Sequence, residues 1–236
     1  WREDQPWLQS MIDSVGGSGN ISTVGDEWAP PGHLERIVDE FIRPFVNAET
    51  VALEIGSGGG RVARCVAPHV ASLCCADISE KMLTRAKVAL EESPNVTFML
   101  LTRPSFPPRL DATLDFIYAF DVFVHMDLHL LFKYLGEMRR LLKPGGRAFM
   151  STANLLTPGG WQRFERQSKF TVGGFYFLSP EIVNSLIERS GLRLVMTGPE
   201  DASNVYLSRD YLTVLERPPL TPPSPPQQPA PDSGEN

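Results

Sequence analysis

The chain has 236 residues, 42% of them apolar and 21% charged, ordinary proportions for a globular protein with a substantial core. A net charge of −6 without any basic run leaves no nucleic-acid footprint, and no apolar stretch approaches the ~20 residues of a membrane helix, so no membrane partner is expected. The three cysteines, Cys65, Cys74 and Cys75, fit neither a zinc site nor a disulfide framework. They read as buried thiols in a reducing compartment, which gives a cytoplasmic expectation and no metal site. The chain opens on Trp1 rather than Met, as a trimmed or excised piece would, so a targeting signal is not legible.

Regular patterning starts at residue 34. "LERIVDEFIRPF" places Leu34, Ile37, Val38, Phe41 and Ile42 on one helical face. "TVALEI" is a short buried strand, and "RVARCVAP" opens a helix that Pro68 ends. "ASLCCAD" is the second strand. Ser79 caps the helix "EKMLTRAKVALEE". "NVTFMLL" and "LDFIYAF" are strands three and four. Asp127 caps "LHLLFKYLGEMRRLL", whose Leu131, Leu135, Met138 and Leu142 share a face. "KPGG" reads as a turn and "RAFMSTAN" as strand five. "SPEIVNSLIERSG" has Ser179 as cap, Pro180 at the first helical position and Gly191 past the end. "LRLVMT" and "NVYLSRDYLTVLER" close the pattern as strands. The tail, 217–236, is rich in proline and has no aromatic residue. It is expected to be disordered, with a weak reading as a ligand for a proline-reading domain.

Alternating strands and helices imply an α/β fold with a mostly parallel sheet covered on both faces. Two closing strands without a helix between them imply one antiparallel strand. In such sheets ligands bind at the carboxyl ends of the strands, where "EIGSGGGR" lies. From Gly56 the dinucleotide fingerprint fails, because Arg61 stands where its third glycine belongs. The phosphate loop fails as well, since no lysine follows Gly59 or Gly60. What remains is E-x-G-x-G-x-G: Glu54, Gly56, Gly58 and Gly60. An acid there repels phosphate and suits a ligand with positive charge, such as S-adenosylmethionine with its ammonium and sulfonium.

With that loop, "CCADISEKML", "LDFIYAFDVFVHM" and "LLKPGGRAFMST" follow in order. Over residues 34–216 the chain resembles the class I S-adenosylmethionine-dependent methyltransferases. The resemblance implies a Rossmann-like, doubly wound sheet of seven strands in the order 3-2-1-4-5-7-6, strand seven antiparallel, with helices on both faces. It makes residues 1–33 an N-terminal cap segment and S-adenosylmethionine the cofactor. Gly56, Ser57, Gly58 and Gly60 would let backbone reach the methionine part of the cofactor, and Asp77 would accept both ribose hydroxyls. Ile78 would lie against adenine or pack in the core. Glu54 would face the ligand's amino group, form a salt bridge to Arg61, or both. Many relatives place an acid after strand three; "LLTRPSF" has none, and Thr102 offers a hydroxyl in its place. Phe120 lines the cleft or packs in the core. His125 is the best-placed base, against a histidine that only shapes the cleft wall. Asp121 holds that loop, with a base role as the alternative. Met82, Met99, Met126 and Met138 read as core.

No [DNS]-P-P-[YFW] motif follows strand four and no two-glutamate loop is present there, so amino groups of bases and arginine side chains are not the expected acceptors. The long segment after strand five carries Trp161, Phe164, Phe170, Phe175, Tyr176 and Phe177 between glycine pairs 159–160 and 173–174. With Trp28 it reads as a mobile lid over an apolar or aromatic small molecule. The alternatives are a protein methyltransferase, a non-catalytic cofactor-binding partner subunit and, most remotely, a nicotinamide oxidoreductase.

Overall fold

The computed structural model describes residues 25–168 and 174–219. The tail beyond residue 219, most of the N-terminal segment, Phe170 and Gly173 lie outside the described residues. The strands are β1 (Val51–Ile55), β2 (Ser72–Asp77), β3 (Val96–Leu100), β4 (Leu114–Ala119), β5 (Leu142–Asn154), β6 (Phe177–Leu178), β7 (Arg193–Thr197) and β8 (Asp210–Glu216). The helices are α1 (His33–Phe41), α2 (Ala63–Val66), α3 (Glu80–Ala89), α4 (Leu128–Leu141), α5 (Pro158–Arg166) and α6 (Pro180–Arg189).

One sheet runs β3-β2-β1-β4-β5-β8-β7. With two-residue β6 set aside, this is the expected order, and β8 is antiparallel to both β5 and β7. Ala153 pairs with Asp210 of β8 on one side and with Phe177 of β6 on the other. The short β6 therefore extends the sheet beyond the carboxyl end of β4.

The period of two along the central strands divides the core. Ala52, Phe116, Tyr118, Phe149 and Val214 face one side, where Ile37, Val38 and Phe41 of α1 and Ala86 of α3 cover them. Leu53, Ile55, Ile117, Ala119 and Met150 face the other, under Leu131, Leu135 and Met138 of α4 and Val183 and Ile187 of α6. Asp127 caps α4 by accepting from the His129 and Leu130 N–H groups, and Ser79 caps α3 through the Met82 N–H.

The structure corrects several local expectations. "KPGG" is not a turn between elements, because α4 runs straight into β5. Leu114 pairs with Leu142 and Phe116 with Arg147, so residues 143–146 bulge opposite Asp115 alone. Gly145 takes a φ of 82°, and a Cβ on Gly146 would lie 2.9 Å from the Lys143 carbonyl. Strand β8 begins only at Asp210, because Asn204 folds the preceding residues into a turn. Its Oδ1 accepts from the Tyr206 and Leu207 N–H groups and its Nδ2 donates to the His33 carbonyl. Ser179 stands at the N-cap of α6 but makes no capping bond with its hydroxyl. Of the three thiols only Cys75 is fully buried.

Candidate active site

The glycine loop leaves β1 and turns at Gly56, whose N–H donates to the Ala76 carbonyl at 2.7 Å. Gly56, Gly58 and Gly60 all have positive φ, a region L side chains avoid. Their surroundings differ. A Cβ on Gly56 would lie 2.5 Å from Val122 Cγ2, and one on Gly60 would press on Leu90 and Ala86 of the α3 region. One on Gly58 would meet nothing within 4 Å, because it points into an open cleft. Gly60 thus lets the loop pack closely against Leu90 and Ala86.

Asp77, at the end of β2, ties this loop to the next. Its Oδ2 accepts the Gly58 N–H at 2.8 Å and its Oδ1 the Ser79 N–H at 2.8 Å. Burial raises its pKa, while the N–H groups of Ser79 and Gly58 act in the opposite sense. The Ser57 hydroxyl beside it is buried and has no hydrogen-bond partner among the described residues. Ile78 and Leu100 expose 42% and 46% of their surfaces, unusual for large apolar side chains, and both line the cleft. Ile78 is therefore not a core residue. Thr102 and Arg103 continue this wall.

The cleft has a volume of about 910 Å³ and runs along the carboxyl ends of β3, β2, β1 and β4. Glu54, Gly56, Ser57, Gly58, Asp77, Ile78, Thr102, Phe120, Asp121 and His125 all line it; Gly60 does not. Glu54 is buried to 2% exposure and receives the Tyr118 hydroxyl at 3.2 Å. Burial pushes its pKa up to about 8, the Tyr118 hydrogen bond opposing. No ion pair joins it to Arg61. Arg61 pairs instead with Asp121 at 3.2 Å, donates to the Gly25 carbonyl and the Tyr206 hydroxyl, and lies over the Trp28 ring.

Asp121 adopts a φ of 59°, and its N–H donates to the Ser151 hydroxyl. Its other oxygen accepts from Arg209 at 2.7 Å. Burial acts to raise its pKa, but Arg209 and Arg61 outweigh it and hold the carboxyl below the usual range. A carboxylate engaged by two arginines is a poor base, so its geometry is that of the loop-holding role. His125 Nδ1 lies 3.0 Å from the Gly174 carbonyl, and the ring meets Phe175 edge-on at 5.1 Å. A carbonyl only accepts, so the proton of the neutral ring sits on Nδ1, and Nε2 is the basic nitrogen. Burial lowers the pKa of this histidine.

In the segment after β5, Pro158–Arg166 form α5. Thr157 caps α5 through the Gly160 N–H. A Cβ on Gly159 would lie 2.5 Å from the Ser208 carbonyl, and one on Gly160 would overlap the Asn154 carbonyl. This glycine pair permits close packing against both carbonyls. Phe175 lines the cleft, whereas Trp161 and Phe164 are among the exposed apolar residues. Met82 and Met126, expected in the core, also line the cleft, as do Arg163, Arg209 and Tyr134, which carried no motif.

A family model described as "Methyltransferase domain" matches residues 52–146. The ubiquinone biosynthesis O-methyltransferase of Thiobacillus denitrificans is 30% identical over 103 residues, 43% of this chain and 44% of that protein, so the match spans less than half the relative's length. Among solved structures, magnesium protoporphyrin IX methyltransferase from Synechocystis PCC 6803, with bound SAH, superposes with a TM-score of 0.66 at 17% identity over 90% of this chain and 95% of that one. An S-adenosylmethionine-dependent methyltransferase from Mesorhizobium loti gives 0.62 at 15% identity over 79% and 99%. Residues 52–146 thus match a methyltransferase domain, and the fold is the class I, Rossmann-like one of the S-adenosylmethionine-dependent methyltransferases on which the chain superposes. Among the described residues no helix is long and apolar enough to cross a membrane, and no cluster of His, Cys, Asp and Glu could hold a metal ion.

Proposed function

We propose that the protein is an S-adenosylmethionine-dependent methyltransferase acting on a small apolar or aromatic molecule. The observation that carries this reading is one continuous cleft with two unlike ends. One end holds Ser57, Gly58, Asp77, Ile78 and Leu100, gathered on Asp77; the other holds His125 and Met126, with Phe175 against His125.

The first end fits the cofactor. Gly58 leaves room for a ligand, and the Ser57 hydroxyl awaits a partner. Each Asp77 oxygen accepts one N–H and keeps a lone pair for a ribose hydroxyl. Ile78 and Leu100 offer apolar surface to adenine, and Glu54 receives the cationic end. When bound, the cofactor supplies an electrophilic methyl group on a sulfonium.

The chain's own contribution is orientation and, where the acceptor must lose a proton, a base. His125 is placed for this. Gly174 holds the Nδ1 proton, so Nε2 is the nitrogen able to take another, and burial keeps the ring neutral at physiological pH. Phe175 bounds the acceptor end with aromatic surface, and Trp28, under Arg61, lines the same cleft.

A screen of small aromatic and apolar acceptors with methyl-labelled cofactor tests this reading. Label is expected in a small molecule. Label found only in protein would replace the acceptor class with polypeptide.

A further inference from the structure

The acceptor end of the cleft carries more positive charge than its carboxylates balance. Asp121 engages Arg61 and Arg209, and Arg209 also bonds Asp210 at 2.6 Å. Two arginines and two carboxylates thus neutralise one another. Arg163 of α5 brings a further guanidinium beside Arg209, over the same Phe175 ring. Among the described residues no carboxylate lies within ion-pair distance of it.

Its position is set by stacking. The Arg163 guanidinium lies over the Phe175 ring at 4.7 Å, and Arg209 lies over the same ring at 4.8 Å. His125 meets that ring edge-on. An aromatic face attracts a cation without neutralising it, so the N–H fork is oriented and still positive. Burial, followed by the fields of Arg209 and Arg166, pulls the Arg163 pKa down, with Asp121 opposing. Those are the marks of a cation in surplus, yet a guanidinium stays charged in proteins.

We propose that Arg163 receives a carboxylate on the methyl acceptor, so that the substrates are aromatic or apolar acids. The planar fork matches a carboxylate bidentately. Phe175 offers apolar surface next to it, and His125 packs against that same ring at 5.1 Å, within reach of a nucleophile on the same small molecule. This inference rests on the methyltransferase reading for the identity of the ligand as an acceptor, but the anion site itself rests on Arg163 and Phe175.

The test compares matched pairs, benzoate with benzamide and phenylacetate with phenylacetamide, binding to the full chain loaded with S-adenosylhomocysteine (SAH) at low ionic strength. The acids are expected to bind about tenfold more tightly than the amides, the effect of one charge-assisted pair. Arg163→Gln is expected to abolish that preference, Arg163→Lys to keep part of it, and Arg166→Gln, on the same helix, to leave it intact. SAH affinity of each variant reports that the fold survives. Equal binding of acid and amide, no binding of the acids, or a preference that survives Arg163→Gln would each overturn the proposal. If SAH itself fails to bind, the methyltransferase reading falls. The acid–amide comparison on the protein alone then still decides the role of Arg163.

Discussion

Arg209 donates to Asp121 at 2.7 Å, joining the turn before β8 to the loop that follows β4, 88 residues earlier in the chain. With Arg61 on the other oxygen, this bond fixes the cleft wall on which Phe120 and His125 stand. Asp121→Asn leaves two buried arginines facing a neutral group. Breaking a buried pair in this way costs about 3–5 kcal/mol. Asn tolerates the positive φ at this position, so backbone strain adds little. Chemical denaturation of both proteins measures the difference, and a loss under about 1 kcal/mol would mean the arginines find other partners.

Asp77→Ala is expected to weaken SAH binding at least tenfold, since one charge-assisted hydrogen bond contributes roughly 1.5–3 kcal/mol. Gly58→Val is expected to weaken it further. The new side chain would enter the open space of the cleft, and its φ of 53° is unsuited to a branched residue. Calorimetric titration checks both, and unchanged affinity in Asp77→Ala would remove this residue from the site.

Glu54 gives a pH signature. Its folded pKa of about 8 lies above the ordinary 4.5, so folding favours the protonated form. That stability is fully present below 4.5 and is lost as pH rises through about 8. Binding of a cationic ligand runs the other way, because it favours the ionised carboxylate. Affinity for S-adenosylmethionine is therefore expected to rise between about pH 6 and 8, by at most about tenfold per unit. Glu54→Gln is expected to flatten both profiles, and a slope that survives it would assign the proton to another group.

His125→Ala is expected to lower turnover by about 10²–10⁴ for an acceptor that must lose a proton, with SAH affinity unchanged. Because burial holds the histidine below its ordinary 6.5, the wild-type rate should rise with pH below that value and level off above it. The variant should lose this limb. A loss smaller than tenfold with the limb intact would make His125 a wall of the cleft only.

The parts of the site that are local in sequence were legible. The glycine loop, Asp77 and the caps at Ser79 and Asp127 are short-range patterns with one physical purpose each, and strand and helix periodicity carried the sheet order through the family resemblance. What was hidden depends on distant partners. Arg61 looked like a partner for Glu54 from seven residues away, yet Tyr118 and Cys75 on the flanking strands enclose Glu54, and Asp121 draws the guanidinium elsewhere. Arg163 and Arg209 stand in no motif, and only folding brings both over the Phe175 ring. The pair Gly159–Gly160 read as the flank of a mobile lid, because composition does not reveal the carbonyls of Ser208 and Asn154 pressed against it.

A cleft that holds S-adenosylmethionine beside Gly58 and Asp77 must gain stability from the cofactor's demethylated product. The most direct measurement is the melting temperature of the full chain with SAH and, separately, with NAD. SAH at ~100 times its dissociation constant is expected to stabilise the protein by about 2.7 kcal/mol, and NAD to leave the melting temperature unchanged. A rise with NAD and none with SAH would contradict the account.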